Sequence, residues 1–564
     1  MVKGGSILPV VTIYYNRLQK MLGSSLDLEH VIDRIPYLGV DIEERTDQYL
    51  RIEYNPNRPD FSTDYGIVRS LKGLLQLELG RPEYNVQKGD NTLSVDPSVL
   101  KVRPHVVCLE AASLHLDQES LRQLIAMQED LHNGIGRKRR KVSMGIHDLD
   151  TIKPPLKYTT TSKDFQFIPL GSSRKMSIEE ILRGTEQGMT YGSILDGFES
   201  YPLIIDSNGE TISFPPIINS ETTKLTENTK NLFIEITATD LSAAQDVLMV
   251  VSSTLQDAGS ILTSVKISYP QTELITPDMT PKKRTLKIAE VNRLLGTSLN
   301  GSEIIECLAR IRFDANAEED PESLSVIIPP YRVDILHEID LIEEVALGYG
   351  LEKMMPTLPK NDLVGSANSF QKQLNLIREI AVGLGLIEAL SFSLVGADLI
   401  LDLGHKEDEL VSVKESKSAM HSMLRGSLIP SLLSVLKKNT HEEYPQKIFE
   451  LAPIFQKDDS LENKVREEIH LAVALAHTQA NYSEAKSYLT SILSTYSSIE
   501  FKTNPSSSRL FIEGRGATIT ADGIEVGVIG EVHPKLISDF QIRIPVAALE
   551  LDLTTLVRKK DRTS

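Results

Sequence analysis

The spacing of apolar residues over the first 95 positions predicts a small α+β domain. The run SILPVVTIYY favours a strand. The segments NRLQKML, DLEHVIDRI and DYGIVRSLKGLLQLELG repeat apolar residues every three or four positions, as amphipathic helices do. The third helix is expected to be capped by Ser62 and to end at Gly80. Polar residues then predict a linker from Glu83 to Ser98.

Between residues 99 and 268, strand patterns alternate with helical ones, which predicts a mixed α/β domain. The predicted strands are HVVCLEAASL, KVSMGIHDL, YPLIIDS, TISFPPIIN and NLFIEITATD. The predicted helices are ESLRQLIAMQEDLHNGIG and SAAQDVLMVVSSTLQDAG. Asn208-Gly209 separates two of the strands and is typical of a tight hairpin turn.

The last two segments complete an α+β multidomain prediction. Residues 273–350 carry two short helical patterns, one strand and a third helix, which indicates a winged-helix-like module. After the proline-rich segment MMPTLPK, residues 366–558 begin with a long amphipathic helix and continue mainly as strands. We expect these strands to form an antiparallel sheet with helices on one face.

Composition limits the class of protein. A chain of 564 residues with 41% hydrophobic and 24% charged residues is typical of a folded protein of about four domains. Its net charge of −18 means that any nucleic acid must be held by a local basic patch. Two cysteines, Cys108 and Cys307, suit a reducing compartment, so we expect a cytoplasmic protein. We expect neither a signal peptide nor a membrane span.

Several common catalytic motifs do not occur in the sequence. It contains no GxxxxGK[ST] loop, no GxGxxG after a strand and no HExxH. ATPases and dehydrogenases of the usual motif-bearing kinds are therefore excluded.

An acidic cluster in YRVDILHEIDLIEEVALGYG is the strongest chemical signal. Asp340, Glu343 and Glu344 share one face of a predicted helix, and Asp334 precedes that helix. Such a density of carboxylates suits Mg²⁺ or Ca²⁺. Acidic residues in the first turn of a helix also stabilise its dipole without a metal, so both interpretations stay open.

Two further segments carry candidate binding residues. The run RKRRK at 137–141 either clamps phosphates or forms a solvated turn after a helix. The segment SFPPIINSETT at 213–223 either lines a small-molecule pocket or forms a plain strand exit. His147 and Asp148 in GIHDLD form a candidate base and its orienting acid, although structural hydrogen bonding explains them as well.

The order of five motifs resembles the phenylalanyl-tRNA synthetase beta chain of the archaeal and eukaryotic type. These motifs are EYNPNRPDFSTDYGI, GIGRKRRKVSMGIHDLDTIKPP, IIDSNGETISFPPIINS, YRVDILHEIDLIEEVA and GEVHP. The resemblance covers almost the whole chain and implies one subunit of an (αβ)₂ class II aminoacyl-tRNA synthetase. It implies that the alpha subunit binds ATP and L-phenylalanine and charges tRNA-Phe, and that no membrane is involved.

The same resemblance implies a role for each segment. Residues 99–268 would form an editing domain that hydrolyses Tyr-tRNA, and residues 366–558 a class II synthetase-like sheet without catalytic motifs. The candidate editing-pocket residues are Glu210, Ser213 and Asn219, with His147 as a weaker candidate; the candidate tRNA-end contacts are Arg137, Arg139 and Arg140. The implied Mg²⁺ ligands are Asp334, Asp340, Glu343 and Glu344.

Two other functions compete with the synthetase interpretation. A DNA-binding regulator would use the winged-helix-like unit and its residues Lys282, Lys283, Arg284 and Lys287. A free-standing hydrolase of mischarged tRNA would need only residues 99–268 and would not require the sheet at 366–558. Co-purification with a second class II subunit would distinguish the synthetase from both.

Overall fold

The chain folds into two compact units, residues 1–358 and 359–564. The computed structural model describes residues 8–23, 26–113, 118–359, 363–397, 410–416, 418–496 and 500–557. None of the helices in these ranges combines the length and apolarity needed to cross a membrane. Each unit is a mixture of helices and sheets, as the sequence predicts.

The first unit begins with a three-stranded antiparallel sheet in the order β1-β3-β2. Its elements are β1 (Val10–Tyr14), α1 (Tyr15–Leu22), α2 (Leu28–Arg34), β2 (Asp41–Arg45), β3 (Tyr49–Glu53) and α3 (Asp64–Leu74). Helix α3 ends six residues before the predicted Gly80, because Gln76 adopts a positive φ of 58°. Thr63 takes the N-cap position of α3, whereas the hydroxyl of Ser62 donates to the carbonyl of Pro59 at 2.7 Å.

A sheet of eleven strands dominates the first unit. The strands of this region are β4 (Val86–Gln87), β5 (Thr92–Val95), β6 (His105–Ala112), β7 (Val142–Asp148), β8 (Leu156–Thr161), β9 (Gln166–Phe167), β10 (Met176–Ser177), β11 (Tyr201–Ile205), β12 (Thr211–Phe214), β13 (Ile218–Asn219), β14 (Leu232–Ala238), β15 (Ile261–Ser268) and β16 (Glu273–Thr276). The main path is β13-β12-β11-β8-β5-β15-β6-β14-β7, with β4 and β16 also paired to β15, while β9 and β10 form a separate pair.

Helices α4 (Gln118–Asn133), α5 (Ile178–Gly184), α6 (Glu186–Tyr191) and α7 (Leu241–Asp257) belong to the same region. Every residue of β14 is buried, which explains why its sequence is nearly all apolar. The predicted Asn208-Gly209 turn joins the antiparallel strands β11 and β12, and Gly209 has the positive φ that this turn requires.

The module after this sheet contains more strand than the sequence predicts. It consists of β17 (Lys282–Lys287), α8 (Ile288–Leu295), α9 (Gly301–Arg310), β18 (Asp314–Ala317), β19 (Ser323–Ile328) and α10 (Glu338–Tyr349). The strands pair antiparallel in the order β17-β19-β18. The basic residues considered as a DNA contact lie on the edge strand β17, where Leu286 alone is buried. Hydrophobic alternation is therefore too weak there to reveal a strand.

The second unit is built on a seven-stranded sheet in the order β20-β23-β24-β28-β27-β26-β25. Its elements are α11 (Ser369–Gly383), β20 (Ile387–Glu388), β21 (Leu394–Val395), β22 (Met423–Leu424), α12 (Ile429–Lys438), β23 (Gln446–Lys457), β24 (Val465–Ala476), α13 (Tyr482–Tyr496), β25 (Phe501–Pro505), β26 (Phe511–Ala521), β27 (Ile524–Val532), α14 (Pro534–Asp539) and β28 (Val546–Asp552). All neighbouring strands of this sheet are antiparallel except β20 and β23.

Helices cover both faces of this second sheet, so the prediction of helices on one face is wrong. Helices α11 and α13 pack on one face, and α12 and α14 pack on the other. The second of these faces carries alanines on its central strands, including Ala472, Ala474 and Ala548. Small side chains there let a helix approach the sheet closely.

A buried arginine joins three parts of the first unit. The guanidinium of Arg69 on α3 bonds Asp257 at the end of α7 and Asp60 at 3.2 Å, and it stacks 3.6 Å from the ring centre of Tyr331. Asp60 also accepts two hydrogen bonds of 2.9 Å from Arg58. Arg58 and Arg69 therefore lower the pKa of Asp60 and offset the opposite effect of burial.

We expect Arg69→Met to lower the free energy of unfolding of the first unit by about 3–5 kcal/mol, because it leaves the buried carboxylate of Asp257 without its cation and Asp60 with Arg58 alone. Hydrogen exchange of the α3 amides in the full chain measures this change. Arg51→Met is the matched control, since Arg51 makes only exposed ion pairs with Glu43 and Glu44. Equal protection of α3 in both variants would contradict the prediction.

Candidate functional site

A pocket of about 400 Å³ opens beside α4, β7 and the turn that follows β12. Most of its wall is apolar. The wall includes Ile125, Met144, Ile146, Leu170, Phe214, Pro215, Pro216, Ile217, Ile218 and Leu225. The peptide bond between Pro215 and Pro216 is cis, which turns the chain sharply between β12 and β13. A concave apolar wall with a few polar groups is the usual form of a small-molecule site.

A buried carboxylate on the pocket wall, that of Glu235, has polar side chains packed around it. The hydroxyl of Ser213 donates to Glu235 Oε1 at 2.8 Å, and His147 Nε2 lies 3.9 Å from the same oxygen. His147 Nδ1 shares a hydrogen bond of 2.8 Å with the hydroxyl of Thr223. His147 Nε2 and Glu235 Oε2 are buried and have no hydrogen-bond partner. Buried polar atoms of this kind usually mark a place where a ligand or water binds.

Strand pairing brings these groups together around a glycine. Gly145 on β7 lies directly opposite Glu235 on β14. A Cβ atom at Gly145 would lie 2.5 Å from Glu235 Oε1, 2.6 Å from His147 Nε2 and 3.1 Å from Asn219 Oδ1. The missing side chain of Gly145 therefore leaves open the space that these three polar groups share.

Three of the sequence-predicted residues lie around Glu235, and of these Asn219 lines the pocket. Ser213 and Asn219 are paired across β12 and β13, and His147 lies on β7. The amide of Asn219 donates to the carbonyl of Ile146 at 3.4 Å, which holds its side chain beside β7. Their joint role in one site stays a prediction that this geometry favours.

Glu210 does not join these residues. It is exposed in the turn between β11 and β12, where its backbone N–H donates to Asp206 Oδ1 at 3.0 Å. The carboxylate of the pocket comes instead from Glu235, which the sequence analysis missed. An acidic residue inside the otherwise apolar run NLFIEITATD is the signal that identifies it, because a buried carboxylate needs a specific partner or task.

The basic loop divides its side chains between solvent and pocket. Arg137, Lys138 and Arg139 have φ values of 48°, 55° and 64°, a left-handed conformation that is unfavourable for each of them. Arg137, Lys138 and Arg140 are exposed, whereas Arg139 turns inward and lines the pocket. Three consecutive residues in this conformation mark a loop whose shape is fixed by its surroundings.

Arg139 connects three walls of the pocket. Its guanidinium donates to the carbonyl of Ile217 at 2.9 Å and to Glu129 at 2.8 Å, and it lies 4.3 Å from the ring centre of Tyr191. The hydrogen bond from His132, with the charge of Arg139, lowers the pKa of Glu129 to about 2 despite partial burial. Arg139 therefore faces an ionised carboxylate at neutral pH and is not free to grip a phosphate.

The acidic cluster of the small module is organised around a buried arginine. Arg332 donates to both carboxylate oxygens of Asp334, at 2.9 and 2.7 Å, and also to Glu344. Nearby carboxylates raise the pKa of the Arg332 guanidinium well above its ordinary value, against the effect of burial. Asp340 caps α10 by accepting from the backbone N–H groups of Leu336 and His337 at 2.7 and 2.6 Å.

These positions do not fit one magnesium ion as they stand. Two of the four carboxylates are bonded to Arg332, the third caps a helix, and Glu343 is exposed. Among the described residues, the group that brings three ligand atoms within 4.8 Å lies elsewhere, at Glu468, His470 and Asp552. Magnesium binding by Asp334, Asp340, Glu343 and Glu344 therefore stays a prediction, and it requires Arg332 to release its carboxylates.

Comparison with known proteins defines the class. Family models match the chain at three places: residues 355–553 match the phenylalanyl tRNA synthetase beta chain CLM domain, residues 284–351 the tRNA synthetase B5 domain, and residues 113–247 the B3/4 domain. The pocket lies largely within the third match, and the Arg332 cluster lies within the second. The fold and its domains are therefore those of a subunit of an aminoacyl-tRNA synthetase.

Full-length relatives identify the family. The phenylalanine–tRNA ligase beta subunit of Archaeoglobus fulgidus is 38% identical over 97% of this chain and 98% of its own, and that of Methanococcoides burtonii is 36% identical over 97% and 100%. The crystal structure of an N-terminal fragment of the Pyrococcus horikoshii phenylalanyl-tRNA synthetase beta subunit is 35% identical and has a TM-score of 0.58. It covers 61% of this chain and 100% of the fragment. The chain belongs to the phenylalanine–tRNA ligase beta subunit family, which confirms the resemblance inferred from its motifs.

We expect Arg332→Met to lower the free energy of unfolding by about 3–5 kcal/mol, because Asp334 and Glu344 would lose their buried counter-charge. Denaturant unfolding of the full chain, followed by hydrogen exchange in α10, measures the change. Arg284→Met on the exposed strand β17 is the control and should change little. Full stability of Arg332→Met in the presence of Mg²⁺, but not without it, would show that an ion replaces the guanidinium.

Proposed function

We propose that this chain assembles with an alpha subunit into an (αβ)₂ phenylalanine–tRNA ligase and removes tyrosine that has been attached to tRNA-Phe by mistake. Family membership supports the assembly and the tRNA substrate. The pocket around Glu235 supports the removal of tyrosine. The same membership favours the synthetase over the DNA-binding regulator and the free-standing hydrolase.

The second unit fits a supporting role in that assembly. On β23, the carboxylate of Glu450 is fully buried and is bonded to Arg425 at 2.8 Å and to Ser391 at 2.7 Å. The guanidinium of Arg425 is itself buried in this pair, so it is not available to bind the phosphates of ATP. We therefore assign ATP-dependent charging to the alpha subunit.

One observation carries the editing proposal: Glu235 lines a mainly apolar pocket and its buried Oε2 has no hydrogen-bond partner, nor has the neighbouring His147 Nε2. An aromatic ring would fill the apolar part, and a phenolic hydroxyl would donate to the carboxylate of Glu235. A phenylalanine side chain would leave that carboxylate unpaired and desolvated. Tyrosine is therefore the aromatic amino acid that this pocket favours.

The energetics explain why a second pocket is useful. An apolar synthetic pocket rejects an added hydroxyl by only about 10²-fold, whereas a site built to hydrogen-bond a hydroxyl discriminates by about 10⁴–10⁵. Glu235 and His147 form a site of the second kind. A tyrosyl ester that escapes the first pocket would be selected positively by the second.

Water is the nucleophile that we infer for this hydrolysis. It attacks the ester carbonyl, the bond to the ribose oxygen of tRNA breaks, and free tyrosine and the tRNA hydroxyl are released. Ser213 donates to Glu235 rather than to His147, so it lacks the histidine contact of an activated serine nucleophile. The carboxamide of Asn219 borders the same space beside Gly145 as Glu235 and would help to hold the bound tyrosyl group.

We expect Glu235→Gln to reduce deacylation of Tyr-tRNA-Phe by about 10²-fold in kcat/KM, because an amide accepts the phenolic proton less strongly than a carboxylate. Asn219→Ala should let Tyr-tRNA-Phe accumulate while charging with phenylalanine persists. Both are measured with the complex reconstituted with its alpha subunit.

Glu210→Gln is the matched control for Glu235→Gln, since Glu210 is exposed and outside the pocket. It should deacylate Tyr-tRNA-Phe at the rate of the unmodified protein. Undiminished deacylation by both Glu235→Gln and Asn219→Ala would overturn the editing assignment.

Substitutions in the basic loop at 137–141 should affect either the KM or the kcat of deacylation, according to whether the side chain is exposed or lines the pocket. Because Arg137 is exposed, Arg137→Ala should raise the KM for Tyr-tRNA-Phe severalfold and reduce its salt dependence by about one charge. Arg139→Met should instead lower kcat by about tenfold or more, because it releases the pocket walls at Glu129 and Ile217. An increase in KM alone for Arg139→Met would show that Arg139 contacts tRNA directly.

A further inference from the structure

A second cluster of titratable groups lies in the second unit, outside the editing pocket. His470 on β24 is the direct neighbour of Asp552 on β28, and Glu468 lies two residues before His470 on the same face. One ligand atom from each of the three side chains lies within 4.8 Å of the others. All three side chains are half-buried, so the cluster has a protein wall and remains open to a small ion.

The two nitrogens of His470 have different surroundings. Nδ1 lies 2.8 Å from Glu550 Oε1, whereas Nε2 is buried, has no hydrogen-bond partner and lies 3.9 Å from Glu468 Oε2. A carboxylate that accepts from one ring nitrogen fixes the orientation of the ring and so the direction in which the other nitrogen points. The second nitrogen of His470 is therefore directed toward the carboxylates of the cluster.

Glu550 is itself held firmly in place. It accepts from the hydroxyl of Ser427 at 2.6 Å and from the backbone N–H groups of Leu428 and Ile429 at 3.1 and 3.3 Å. These bonds cap the N-terminus of α12, and together with His470 they lower the pKa of Glu550 despite its burial. A fixed carboxylate behind an imidazole is the support that metal-binding histidines generally have.

We propose that Glu468, His470 and Asp552 bind one divalent transition-metal ion, Zn²⁺ or Mn²⁺, with Glu550 orienting the imidazole. An imidazole with two carboxylates favours these ions over Mg²⁺, which prefers oxygen ligands alone. Ligand atoms around a tetrahedral zinc lie roughly 3.3 Å apart, so the three side chains need to draw together by small rotations. The ion ties β24 to β28 and, through Glu550, both strands to α12.

The alternative occupant of this site is a proton. Nearby carboxylates raise the pKa of His470 to about 9 against the effect of burial, so the metal-free imidazole is protonated at neutral pH. Arg466, whose Nε lies 3.6 Å from Glu468, supplies a competing charge at the edge of the cluster.

The test uses the full chain, freed of metal by chelator and dialysis, and titrated with Zn²⁺ in a calorimeter and with Co²⁺ in a spectrophotometer. We expect one saturable site per chain and the visible absorption bands of cobalt bound to nitrogen and oxygen ligands. His470→Gln and Asp552→Asn should each weaken binding at least tenfold. His477→Gln is the matched control, because His477 lies on the following turn and contacts Glu484 at 2.7 Å, outside the cluster.

Each outcome decides the proposal. No saturable binding by the unmodified chain, or binding that survives both His470→Gln and Asp552→Asn, means that the cluster holds a proton only. If His470→Gln lowers the thermal midpoint of the metal-free chain, its loss of metal binding is not specific to the site. Metal binding by Glu468→Gln, whose side chain is more exposed than that of His470, is then the deciding measurement. Equal loss of binding in His477→Gln would place the ion elsewhere and also overturn the proposal.

Discussion

The ion pair between Arg69 and Asp257 spans 188 positions of sequence and ties α3 to the end of α7. Because an unpaired buried charge costs several kcal/mol, folding of the first unit is complete only when these segments meet. The buried ion pair of Arg332 with Glu344 constrains folding in the same way inside the small module. The buried ion pair of Arg425 with Glu450 does so in the second unit. Apolar burial supplies most of the stability, but these pairs specify which surfaces come together.

The pocket beside β7 and β14 holds a buried carboxylate that is not fully paired. Glu235 Oε2 is the one carboxylate oxygen in the described part of the chain that is buried and has no hydrogen-bond partner. This unpaired oxygen lowers the free energy of unfolding. The pairing of β7 with β14 keeps the carboxylate of Glu235 in place beside Gly145. A rigid sheet that holds an unsatisfied group toward a cavity is a preorganised binding site, which a flexible loop would not provide.

Local patterns in the sequence predicted many of the elements, but the linker prediction for Glu83 to Ser98 is wrong, because β4 and β5 in that segment pair with distant strands of the large sheet. Strands β6, β7 and β14 follow from apolar runs, and Ser213 and Asn219 are candidates from the segment SFPPIINSETT at 213–223. The sequence analysis missed Glu235 because its place at the pocket depends on how β14 pairs with β7. That pairing sets Glu235 opposite Gly145, 90 positions earlier in the chain. Glu210 is a candidate that the family resemblance implies, yet it lies exposed in a turn outside the pocket. Strand β17 was missed because its lysines conceal the alternation.

The net charge of −18 bears differently on nucleic-acid binding when the side chains of the basic loop at 137–141 are considered one by one. Electrostatic interactions at physiological salt fade over about 8 Å, so the net charge of distant surfaces matters less than the few cations nearest the tRNA end. The left-handed turn directs Arg137, Lys138 and Arg140 outward and Arg139 inward. Within one short basic run, three cations are therefore exposed to solvent, and Arg139 holds the pocket walls at Ile217 and Glu129.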